Sequence, residues 1–156
     1  MIRPGIRLGL TLVTAVVVGC VDPEGQRPGL RLSGESAREF PADWSFTNET
    51  REIAIEVHTP YLLPHSLTIW CGSVGGQLYL AARDPETKRW PGWVARNPNV
   101  RLRISGRIYE TTLVRLDATQ EIDRVRGAYA AKYGLPNPAP AGSPPMRYWR
   151  VDPRAL

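Results

Sequence analysis

Cysteine and histidine are scarce in this chain, with two of each in 156 residues: Cys20 and Cys71, His58 and His65. The histidines have no cysteine or acidic partner at metal-ligand spacing, so no metal site is expected. No Gly-x-Ser-x-Gly turn presents a hydrolase serine, so nothing supports a Ser-His-Asp hydrolase. Internal repeats are missing too, which excludes solenoids and propellers. A helix that crosses a bilayer needs about twenty apolar residues. The uncharged stretch at residues 8–18 is only about half that length.

What stands there instead is an export pattern. Arg3 and Arg7 precede the apolar stretch, which runs directly into Val17-Val18-Gly19-Cys20; a basic start, a short apolar region and a small residue before a cleavage point describe a secretory signal. The run resembles a bacterial lipobox. That resemblance implies cleavage before Cys20, a diacylglycerol on its thiol and usually a further acyl chain on the new amine. The alternative is an ordinary export signal with a chance cysteine. Several acyl chains hold a protein durably, where one gives only reversible attachment. The expected location is therefore the cell envelope, anchored to a membrane without spanning it. In a Gram-negative cell, Val21 rather than Asp after Cys20 resembles lipoproteins sent to the outer membrane, on its periplasmic side.

Loss of residues 1–19 removes Arg3 and Arg7 and leaves a chain the size of one domain. Cys71 is then the only unmodified thiol, so no internal disulfide can form. It falls in the apolar phase of a strand pattern and is expected in the core, with an intermolecular bond as the alternative. Residues 20–43 carry glycines, prolines and charges with little apolar periodicity, and read as a flexible tether. The folded domain is expected over 44–156.

Within it, period-two alternation dominates. Ile53, Ile55 and Val57 alternate with Ala54, Glu56 and His58. Residues 66–71 and 77–82 read as a hairpin around a turn at 72–76, and 100–104 with 107–116 as a second hairpin about Ser105-Gly106. Between them, 84–96 reads as a loop and short helix ending at Asn97-Pro98. Ile122, Val125, Tyr129 and Tyr133 recur at helical spacing, Asp117 and Gln120 form a capping pair, and Gly134 with Pro136 stops the helix. A last strand is expected at 146–151. Six or so antiparallel strands and one clear helix indicate a mainly β fold with α: a small barrel with one or two peripheral helices.

The stretch "GGQLYLAARDPETKRWPGWVARNPNVRLRISGRIYETTLVRL" resembles the split β-barrel proteins of the pyridoxamine-phosphate-oxidase type. In that superfamily a hairpin strand leads through a polar loop and short helix to an Asn-Pro and a Val-rich strand. Trp-Pro-x-Trp before Asn97-Pro98 is most similar to the deazaflavin-dependent nitroreductase branch. The helix carrying Tyr129 and Lys132-Tyr133 resembles that of another split-barrel relative. The resemblance implies a six-stranded antiparallel split barrel, a homodimer and a slot for FMN or a deazaflavin. Ring contacts would come from strand 64–70, through Ser66 and Thr68, and phosphate contacts from Thr87, Lys88 and Arg89, with Trp93 beside them. The alternative for 87–89 is a solvated charged loop.

Arg3-Pro4 is not a twin-arginine pair, so the chain should cross the membrane unfolded and empty. A cofactor would have to be captured outside, or the redox role would be lost and no cofactor kept. Arg101 and Arg103 share one strand face, opposite Val100, Leu102 and Ile104, and with Arg107 form a basic patch that is either solvated or meets an anion. Trp90 and Trp93 are read as rim packing, or else as a substrate platform. Nucleic acid is not an expected partner outside the cytoplasm. Three functions stay open: an envelope lipoprotein binding a flavin-like or other small anionic ligand, a flavin- or deazaflavin-dependent oxidoreductase, and a non-catalytic envelope interaction protein. No catalytic residue is assigned.

Overall fold

The computed structural model describes residues 20–25 and 27–154. The expected signal segment, 1–19, lies outside the described residues. Seven strands form, β1 (Glu35–Ser36), β2 (Glu52–His58), β3 (Pro64–Val74), β4 (Gln77–Arg83), β5 (Asn99–Ile104), β6 (Arg107–Arg115) and β7 (Met146–Pro153), with helices α1 (Trp90–Arg96) and α2 (Thr119–Tyr133). From β2 to β7 every pairing is antiparallel, in the order β6-β5-β2-β3-β4-β7, and β7 returns to pair with β6. The six strands thus close into a barrel with no free edge. β1 lies outside, parallel to the start of β6.

The alternation read from the sequence selects the interior. Ile53, Ile55 and Val57 from β2, Leu80 and Ala82 from β4, Val100, Leu102 and Ile104 from β5, and Trp149 and Val151 from β7 fill it. Each mouth is stopped by an indole. Trp44 closes one end, its amide bonded to the Gly76 carbonyl, and Trp90 of α1 closes the other, 4.9 Å from Trp149 between ring centroids. Ser105 and Gly106 both have positive φ, 49° and 78°, as a two-residue turn of primed type requires.

Two local expectations shift. The turn expected at 72–76 tightens to Gly75-Gly76, because β3 continues through Val74. Continuing it puts Gly72 beneath α2, where a Cβ would lie 2.8 Å from the Tyr129 ring. The Asp117–Gln120 capping pair does not form: α2 starts from Ala118 without a side-chain cap, while Gly134 ends it at φ 65° as expected. Helix α2 seats Val125 and Tyr129 on the outer face of the barrel against Tyr79, Ala81 and Tyr148. Cys71 is fully buried in the barrel core, and burial pushes its thiol pKa up against the pull of the Lys132 ammonium. Among the described residues no helix is long and apolar enough to cross a membrane.

Of the segment 20–43, expected as a flexible tether, the described residues lie along the barrel in this structure. Gly29 and Ser66 exchange two backbone hydrogen bonds, the Glu35 amide donates to Gly106, and the Ala37 amide to Ile108. Leu32, only 2% exposed, sits between Ala54 and Ile108. Composition counts the few apolar residues of this strap correctly, but it does not register the backbone groups and charges that a closed barrel offers in place of water.

Candidate ligand site

The inward set of β2, β3 and β5 leaves the intervening residues on the outer face, and the register aligns them into two rungs. Ser66 of β3 stands opposite Glu56 of β2, which stands opposite Arg101 of β5. Next to it, Thr68 stands opposite Ala54, and Ala54 opposite Arg103. The first rung is sealed. The Glu56 carboxylate lies 2.6 Å from the Arg101 guanidinium and accepts the Leu32 amide at 2.7 Å. Ser66 is fully buried beneath Gly29, and its hydroxyl has no hydrogen-bond partner among the described residues. A Cβ on Gly29 would lie 2.6 Å from that oxygen.

The second rung is more open. Thr68 donates to the Gly25 carbonyl at 2.6 Å, and the Arg103 guanidinium meets the Asp22 carboxylate at 2.6 Å. Asp22 also accepts from the amide and hydroxyl of Ser33. Burial works to raise its pKa, but the Ser33 bonds and the Arg103 charge outweigh it and hold the carboxyl below its ordinary value. Between strap and barrel lies a cavity of about 390 Å³, lined by Arg103, Thr68, Ser33 and Ser105, with Glu52 among its walls. The Asp22 carboxylate already holds Arg103 and the Ser33 hydroxyl, and Gly25 holds Thr68, so an anion at this guanidinium would have to take the place of Asp22.

The other expected site residues lie elsewhere. Thr87 belongs to a short 3-10 turn, where its hydroxyl donates to the Asp84 carbonyl, while Lys88 and Arg89 are exposed just before α1. Trp93 is half-buried, edge-on to His65 at 5.2 Å and to Tyr61 at 6.1 Å. His65 has the inward phase of β3, whereas Ser66 and Thr68 have the outward one. No hydrogen bond or ion pair among the described residues joins 87–89 to Ser66 or Thr68. The strand residues share their rungs with Arg101 and Arg103 instead, with Glu56 and Ala54 of β2 between them. Asp22, Ser33 and Glu56 were not singled out by sequence reasoning. Glu56 had a signal in its outward phase beside an arginine-bearing strand, but Asp22 and Ser33 had none.

A flavin-like ring needs an apolar seat as well as an anion contact. On this outer face the apolar ground, Ala54 and Ile108, is filled by Leu32. With the strap docked, Leu32 fills the ground a ring would need on this face, and Asp22 stands where an anion would meet Arg103.

No family model matches this chain. No curated protein matches it either. Solved structures do. A conserved hypothetical protein of Mycobacterium tuberculosis aligns with TM-score 0.55 at 15% identity, over 71% of this chain and 78% of its own. A Listeria innocua protein named as a pyridoxamine 5′-phosphate oxidase gives 0.50 at 15%, over 71% and 90%. The fold is that of the split barrels. An FAD-binding protein of Mesorhizobium loti gives 0.51 at 13%, over 71% of this chain and 84% of its own. At such identities the likeness concerns the split-barrel fold and not its chemistry.

Proposed function

We propose that the mature chain is an exported lipoprotein, acylated at Cys20, whose split barrel binds a small anionic ligand on the outer face of β2, β3 and β5. The observation that carries the reading is the cavity beside Arg103, with Thr68, Ser33 and Ser105 around it. Arg103 is paired with a carboxylate of the strap, and a phosphate or carboxylate ligand would take the place of Asp22. Arg103 and Asp22 are both partly exposed, so exchange costs little desolvation. In this reading the barrel is a binding module. A second reading, a flavin- or deazaflavin-dependent oxidoreductase of nitroreductase type, draws on the FAD-binding neighbour and requires the strap to leave the ring's place. A homodimer goes with either, because related barrels would complete a slot across a two-fold interface.

Titration with inorganic phosphate and with FMN, followed by calorimetry and flavin fluorescence, tests both readings. Loss of one charge-assisted contact costs about 1.5–3 kcal/mol, so Arg103→Ala should weaken anion binding roughly ten- to hundredfold. Asp22→Asn should strengthen it by removing the competing carboxylate. Parent-like binding by Arg103→Ala, with loss in Lys88→Ala and Arg89→Ala, would move the site to the α1 end. Tight FMN binding with perturbed visible absorption would favour the oxidoreductase.

A further inference from the structure

The loop between β2 and β3 ends in three consecutive apolar residues, Tyr61, Leu62 and Leu63, and all three are exposed. Leu62 is 95% exposed and has φ 64°, a left-handed conformation uncommon for a branched side chain. The shape is held rather than loose. The Thr59 hydroxyl donates to the Leu63 carbonyl at 2.6 Å, and the Tyr61 amide donates to that hydroxyl at 3.3 Å. A braced loop that displays leucine to solvent gains nothing for the barrel, and such displays mark interaction surfaces.

Its surroundings indicate the partner. His58 pairs with Pro64, so the loop closes a hairpin at the barrel mouth that α1 covers, and the Tyr61 and Trp93 rings touch there. Lys88 and Arg89 precede α1 and Arg96 ends it. All three are exposed, with no ion pair among the described residues. Near the same rim, Gly29 is bridged to Ser66, two residues in from Pro64. Its neighbour Leu30 donates an amide to the Val21 carbonyl at 2.7 Å. Leu30 and Val21 are both exposed, and Cys20 is exposed and bridged to Arg31. An apolar tip, an indole and unpaired cations beside a cysteine read as acylated form the combination that suits an interface of acyl chains and anionic headgroups.

We propose that this mouth is a membrane-docking face: Tyr61-Leu62-Leu63 enters the headgroup region of an anionic bilayer, and Lys88, Arg89 and Arg96 meet lipid phosphates. It deepens the membrane part of the proposed function, yet it does not require acylation to operate. Acylation of Cys20, where it occurs, adds to this, because Cys20 is bridged to Arg31 of the docked strap and would hold the domain close to the lipid. Lys88 and Arg89 then serve phosphate recognition, with headgroups as the source.

The test uses the full chain carrying Cys20→Ala, which removes the acyl anchor, and Leu62→Cys labelled with an environment-sensitive dye, the buried Cys71 being protected. Vesicles of phosphatidylglycerol and phosphatidylcholine should shift the dye emission to the blue, and pure phosphatidylcholine vesicles much less. Co-sedimentation of the Cys20→Ala chain with unaltered Leu62 should fall about fivefold for each of Lys88→Ala and Arg89→Ala. It should fall at least as much for Leu62→Ser. No blue shift on anionic vesicles would overturn the proposal. So would a shift that depends on protein concentration without lipid, because a second copy would then cover the loop. Whether Cys20 is acylated is read separately, from the N-terminal mass of the parent, so the two readings fail by different measurements.

Discussion

Gly29→Ala tests whether the strap is a docked part of the fold. No left-handed φ is involved at Gly29, so the obstacle is space. A Cβ there would lie 2.1 Å from the Val21 carbonyl oxygen, 2.7 Å from the Asp22 carbonyl carbon and 2.6 Å from the Ser66 hydroxyl. The hydroxyl can rotate away, but the two backbone atoms cannot. Overpacking of this kind costs about 1–3 kcal/mol. The strap is secured by comparable amounts: burying Leu32 contributes about 1.5–3 kcal/mol, and its amide on the Glu56 carboxylate about 1.5–3 kcal/mol. The partly exposed Asp22–Arg103 pair adds about 0–1 kcal/mol. One methyl group set against the Val21 and Asp22 backbone thus costs about as much as one of these anchors contributes. Amide hydrogen exchange is the assay. The Leu32 amide, bonded to Glu56, and the Ser66 amide, bonded to Gly29, should exchange roughly five- to hundredfold faster, at a factor of ten per 1.4 kcal/mol. Amides of the β5–β6 ladder should keep their parent rates. Parent-like protection at Leu32 and Ser66 would refute the docked strap. A uniform loss across the barrel would show instead that strap and barrel unfold as one unit.

Lys132 donates from Nζ to the Thr47 and Cys71 carbonyls at 2.9 and 2.8 Å. Lys132→Met leaves both without that donor and should cost about 1–3 kcal/mol in a urea melt, and an unchanged midpoint would show that water replaces the ammonium. Burial lowers the pKa of His65 below its usual 6.5. The unfolded chain therefore takes up the proton first, and the stability present above pH 6.5 is lost as pH falls below that value and through the lower folded-state one. His65→Gln should flatten the decline between denaturation curves at pH 7.5 and 5.5, and an equal slope in the variant would remove His65 as its source. Cys20→Ala should abolish lipid mass at the mature N-terminus and stable membrane partition. If partition and N-terminal mass are both those of the parent, and that mass carries no lipid, the lipobox reading fails. The expected homodimer is checked by sedimentation of the Cys20→Ala chain, where a monomer at every accessible concentration would count against it.

Much of the barrel is legible in local sequence because a strand's period is two and its hairpins are short. Val100, Leu102 and Ile104 face in and Arg101 and Arg103 face out whatever surrounds them, and Ser105-Gly106 sets their partner strand within two residues. Gly134 ends α2 for an equally local reason, its left-handed φ. The capping pair at Asp117 and Gln120 does not form: α2 starts from Ala118, and the chain enters it from Leu116, whose amide continues the pairing with Tyr148 of the adjacent β7. Closure itself, Leu113 of β6 against Val151 of β7, joins segments separated by a helix and a proline-rich loop, and no periodicity marks it. The outward residues Ser66, Thr68, Arg101 and Arg103 could be chosen from phase alone, but phase does not say what covers them. That was decided by Leu32 meeting Glu56, Ala54 and Ile108, and by Asp22 reaching Arg103, contacts between a stretch with no pattern of its own and a surface that exists only once the barrel has closed.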